Sequence, residues 1–97
     1  MPMKPDVRKK ARHRVRRIAG QVEGIQRMIE GDRYCVDILL QIAAARAALD
    51  QLGKQVLSAH VETCVAEAFA SRSRDERETK MRELMEVFSR LGYVSAR

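Results

Sequence analysis

The chain has no tryptophan and only two tyrosines and two phenylalanines among its 97 residues. A core without large rings is built from Leu, Ile, Val, Met and Ala, the materials of helices packed on helices. Only two prolines occur, Pro2 and Pro5, so beyond them nothing of that kind interrupts a long helix. Cysteine is limited to Cys35 and Cys64. Two thiols do not make a disulfide framework, and the first residues are too charged for a secretion signal. A reducing cytoplasm and free thiols are therefore expected. No apolar run approaches the ~18 residues of a membrane span, so no membrane partner is expected. A Gly-rich loop, a cofactor motif and an acid placed to orient a histidine beside a cysteine are all missing, which argues against an enzyme. A chain this short makes one small domain over residues 1–97.

Acidic residues are scarce at the start. Residues 1–17 hold eight basic residues against Asp6 alone, a net +7, whereas the rest of the chain nets −1. The excess charge is thus a patch, as on a surface that meets a polyanion. No helix-turn-helix, zinc finger or ribbon is recognisable, so composition points to nucleic acid without saying how it is held.

What the chain does have is helical periodicity. Val7, Ala11, Val15, Ile18, Val22, Ile25 and Ile29 recur at threes and fours, predicting a helix from about Asp6 to Glu30. Arg8, Arg12, Arg14, Arg16 and Arg17 fall between them, so one face packs inward and another presents cations. His13 lies among these arginines and reads as a solvated residue. Gly20 and Gly24, four apart, suit close approach by another helix. Gly31 fits the left-handed position after the helix, and Asp32 fits the cap of the next. So short a joint implies an antiparallel hairpin.

The second helix is expected to run through Val65 to Phe69, with a heptad-like seam of Ile38, Ile42, Ala45, Leu49, Leu52 and Val56 that reads as core. Arg46 and Lys54 lie off that seam and either extend the basic face or are solvated. Ser73 with Glu76 fits a capping box. Met81, Leu84, Met85, Phe88 and Leu91 then make a short third helix that stops near Gly92. The expected fold class is all-α, with three helices per protomer. Long helices with wide apolar stripes in so small a chain favour an oligomer.

Both cysteines and His60 belong to the second helix. His60 and Cys64 are four apart, one turn along one face. Cys35 precedes His60 by 25 residues, about 37 Å along a straight helix. One chain cannot close that gap, and a single Gly53 does not fold a helix back on itself. If the three residues act together, Cys35 meets His60 and Cys64 of a second chain, in an antiparallel dimer crossing near Leu49. Two thiolates and an imidazole are soft donors that favour Cu(I), Zn(II) or an iron–sulfur centre over Mg or Ca. Zinc and iron–sulfur sites usually take four protein ligands, whereas three suit trigonal Cu(I). A His-x3-Cys pair on a helix is by itself commonplace, and buried cysteine is commonly inert.

The segments RVRRIAGQVEGIQRMIE, YCVDIL, QIAAARAAL and HVETC together resemble the CsoR/RcnR family of bacterial transcriptional repressors, most of all its copper-sensing branch. The resemblance covers nearly the whole chain. It implies an all-helical protomer, an antiparallel dimer forming a helical bundle, and a dimer of dimers. It implies a cytoplasmic repressor that binds operator DNA in its apo form and releases it when Cu(I) binds. In that branch the ligands are Cys35 of one protomer with His60 and Cys64 of the other. Tyr34 and Glu83 match the outer pair that connects the ligand histidine to the third helix. Arg14, Arg17, Arg46 and Lys54 fall where relatives carry DNA-contacting cations. Other branches supply alternatives. The nickel/cobalt branch uses further histidines, but here Met3 and Cys64 stand in such places. The formaldehyde branch joins a cysteine to an N-terminal proline, and Pro2 and Cys35 match. The persulfide branch keeps two cysteines and lacks the histidine, which His60 argues against.

Overall fold

The computed structural model describes residues 3–70 and 73–92, with the backbone alone at Cys64 and Val65. It is all helical: α1 (Pro5–Glu30), α2 (Cys35–His60), a π turn (Val61–Val65), α3 (Ala66–Ala70) and α4 (Arg74–Leu91). The backbone stays helical from α2 through the π turn into α3, so the chain makes three helical rods. It divides into two compact units, Lys4–Val56 and the part from Leu57 onward, to which Met3 also belongs.

In the first unit, Pro5 opens α1, where a missing N–H costs nothing. The α1–α2 joint corrects the expected turn. Gly31 is right-handed at φ −88°, and the left-handed residue is Asp32 at φ 51°. The Asp32 N–H donates to the Ile29 carbonyl at 3.2 Å, and the Arg33 N–H to that of Met28 at 2.9 Å. This pairing is a Schellman motif. Helix α1 runs one residue past the point at which Gly31 could take the left-handed place, and Asp is among the few residues that tolerate it. The cap of α2 falls to Tyr34, whose carbonyl accepts from the Ile38 N–H at 3.2 Å.

The wide apolar stripe of α1 resolves into two. Ala11 and Ile18 are buried and Ile25 half-buried, whereas Val15, Val22 and Ile29 are exposed. Each set repeats every seven residues, close to two turns. Helix α2 divides likewise. Ala45 is buried and Ile38 and Leu52 half-buried, but Ile42, Leu49 and Val56 are exposed. The expected seam is therefore only partly core within one chain. The two glycines do not mediate a close approach inside it either. A Cβ at Gly20 would meet nothing within 4 Å, and one at Gly24 only the Arg27 side chain, at 3.7 Å.

In the second unit, α4 packs against α3 and the π turn, with Ala59 and Ala68 buried. Ser73 caps α4, its hydroxyl accepting from the Glu76 N–H at 3.2 Å. Gly92, left-handed at φ 80°, ends the helix. The π turn is the feature that periodicity did not predict. The Ala66 N–H bonds the Val61 carbonyl, five residues back, and the Thr63 hydroxyl donates to the Ala59 carbonyl at 2.9 Å. Hydroxyl back-bonding of this kind perturbs a helical ladder.

Candidate metal site and nucleic-acid interface

Cys35 is the first residue of α2 and His60 its last. Cys35 is an exposed free thiol. It also opens the exposed apolar row of α2, since Cys35, Ile42, Leu49 and Val56 follow one another at intervals of seven. His60 is half-buried. The backbone of Cys64 lies in the π turn, so the α-helical rule that sets residues four apart on one face does not carry over to His60 and Cys64 unchanged. A helix of 26 residues, by its rise, separates its end Cα atoms by about 37 Å. In keeping with that, no three of His, Cys, Asp and Glu gather among the described residues.

Tyr34 is well exposed directly before α2. Glu83, on α4, is half-exposed and pairs with Lys80 at 3.5 Å. Its helix packs against the π turn that contains Cys64. Pro2 lies outside the described residues.

The cations are placed more tellingly. Arg14 and Arg17 line an open depression of about 370 Å³ together with Lys10 and His13 of α1 and Gln55 of α2. Residues 10, 13, 14 and 17 share one face of a helix by their spacing. Lys10 and Gln55 are about equally far from the α1–α2 turn, as an antiparallel hairpin requires. Arg46 and Lys54 are exposed on α2 and do not line this depression. Of the other lining residues, Lys10 belongs to the basic segment read from the sequence as a patch, His13 was read as solvated, and Gln55 was not singled out. The first two were legible in the three- and four-residue spacing to Arg14 and Arg17. Gln55 carried no such signal.

A family model described as a metal-sensitive transcriptional repressor matches residues 7–90. The chain belongs to that family. It is a family of repressors rather than enzymes. The chain is 46% identical over 78 residues to the copper-sensing transcriptional repressor CsoR of Bacillus subtilis (strain 168), covering 80% of this chain and 74% of that one. Its fold is similar to the copper-sensing repressor CsoR with Cu(I) from Geobacillus thermodenitrificans NG80-2. The TM-score is 0.83 at 41% identity, over 95% of this chain and 93% of the other. A variant of the formaldehyde-responsive regulator FrmR from Salmonella enterica serovar Typhimurium aligns with TM-score 0.76 at 33% identity, over 93% and 99%. The all-α, three-helix fold read from the sequence is thus the fold of this family.

Proposed function

We propose that this chain is a cytoplasmic Cu(I)-responsive repressor. Metal-free, it holds operator DNA through the basic face of α1. Cu(I), bound by Cys35 of one protomer with His60 and Cys64 of another, lowers that affinity. The observation that carries the reading is the donor set itself, two sulfurs and an imidazole, in a chain similar to copper-sensing repressors. The donors fit the ion: both are soft, and three of them satisfy trigonal Cu(I) without a fourth.

The exposed row that begins at Cys35 supports a site made by two chains. Val15, Val22 and Ile29 on α1 and Ile42, Leu49 and Val56 on α2 are large apolar residues left open to solvent, and a second chain would remove them from water. Antiparallel pairing through the α2 row puts Leu49 near the crossing and brings Cys35 toward the partner's other end. Two such dimers pair into a tetramer with several basic faces. Tyr34 and Glu83 orient the imidazole of His60 and connect it to α4. Arg14, Arg17, Arg46 and Lys54 contact DNA mainly through phosphates. By linkage, DNA weakens Cu(I) binding by the factor that Cu(I) weakens DNA binding.

The test is a titration of the reduced protein with Cu(I), Ni(II), Zn(II), formaldehyde and a persulfide donor while operator binding is followed. Release at stoichiometric Cu(I) supports the reading. Release by one of the others alone, with Cu(I) inert, assigns the chain to the formaldehyde, persulfide or nickel/cobalt mode instead.

A further inference from the structure

We propose that the depression lined by Lys10, His13, Arg14, Arg17 and Gln55 is a phosphodiester seat in which His13 binds a DNA phosphate as imidazolium, so that DNA binding takes up a proton. The inference rests on the reading of operator DNA as partner and adds two residues, His13 and Gln55, with a linkage that reading does not contain.

Three observations carry it. First, the seat is concave and joins two helices, with α1 contributing Lys10, His13, Arg14 and Arg17 and α2 contributing Gln55. Second, no acidic side chain is among the lining residues. The charged lining residues beside His13 are Lys10, Arg14 and Arg17 on its own helix, and the lining residue from α2 is the uncharged Gln55. A phosphodiester lodged among them reverses the sign of the local field and favours the imidazolium, which then donates a charge-assisted hydrogen bond. Third, the Gln55 Oε1 is buried without a hydrogen-bond partner. With its oxygen withdrawn from solvent, the Gln55 amide places no exposed acceptor in the seat to repel an anion.

Proton uptake has a direction. The bound state holds the extra proton, so affinity rises as pH falls through the range in which imidazole titrates. Lysine and arginine keep their charge throughout that range. The other imidazole of the chain, His60, is separated from this effect by substitution at His13 alone.

The experiment follows binding of the metal-free, reduced full chain to the operator duplex by fluorescence anisotropy, at fixed ionic strength, from pH 6 to pH 8. The parent, His13→Gln and His13→Arg are compared, with helix content and melting of each checked by circular dichroism. The parent should gain roughly tenfold in affinity between pH 8 and pH 6 over any gain of His13→Gln, the size of one hydrogen bond to a charged group. His13→Arg should bind at pH 8 about as the parent does at pH 6, with little pH dependence left. Equal pH slopes for the parent and His13→Gln, both folded, overturn the proposal.

A duplex of unrelated sequence separates this idea from the reading beneath it. Phosphate contacts are blind to sequence, so the slope that depends on His13 should appear there too. If the slope is present and operator preference absent, the seat stands and the repressor reading fails. Inorganic phosphate, exchanged for chloride at the same ionic strength, should not displace the duplex. Displacement by millimolar phosphate would make the seat one for the free anion and contradict its assignment to DNA.

Discussion

At the scale of single residues, holding the metal and transmitting its presence fall to different ligands of the proposed site. Cys35 and Cys64 would supply the sulfur that Cu(I) prefers, and two thiolates alone can retain it. In the proposed site His60 is the ligand that Tyr34 and Glu83 would orient. His60→Ala should therefore lose more coupling than affinity. Operator binding without metal should match the parent, Cu(I) should still load, and the loaded variant should stay on DNA. The measurement is operator anisotropy at saturating Cu(I), with metal content assayed separately; full release by the loaded variant would remove His60 from the mechanism. Arg14 belongs to the other face. Arg14→Ala should weaken operator binding and lower the slope of log affinity against log salt by about 0.9, one phosphate contact. Its Cu(I) affinity should be unchanged. A salt titration reads both the affinity and the slope.

At the scale of elements, helix ends were the most legible features because their chemistry is local. Pro5 opens α1, Ser73 caps α4 through Glu76, and Gly92 closes it in the left-handed region, each as its residue type dictates. Ser73→Ala removes an N-cap acceptor and should cost about 1 kcal/mol, read as a lower midpoint in thermal or denaturant unfolding. The α1–α2 turn was harder. Both Gly31 and Asp32 tolerate the left-handed place, and one residue of helix length decides between them. The π turn could not be read at all, since a one-residue change of hydrogen-bond register over a single turn has no signature in residue type. It falls within the HVETC segment, and π turns recur at functional sites. The Thr63 hydroxyl on the Ala59 carbonyl is a local reason for it. Thr63→Val, which keeps the shape and removes the hydroxyl, should change amide protection through Val61–Val65 and weaken Cu(I) binding. Thr63→Ser should restore both. Hydrogen exchange gives the first readout and a competitive Cu(I) titration the second.

At the scale of the whole molecule, periodicity told which residues are apolar but not which surface covers them. The row of Val15, Val22 and Ile29 reads in sequence like that of Ala11, Ile18 and Ile25, yet one chain buries or half-buries only the second. The difference emerges only when the position of the neighbouring helix is known. The same limit applies to the metal site. The sequence shows the donors and the distance between them, and the length of α2 excludes closure along one helix. The proposed site is therefore one that two chains would complete together.

The most direct test of that claim is complementation. Cys35→Ala and His60→Ala/Cys64→Ala each remove one half of every site, so neither variant alone should release operator DNA at stoichiometric Cu(I). After subunit exchange, confirmed by native mass spectrometry, each mixed dimer carries one complete site and one with no ligands. The mixture should regain tight Cu(I) binding, at one ion per mixed dimer, and part of the copper-driven release. Confirmed exchange with no recovered tight Cu(I) binding would contradict a site shared between protomers.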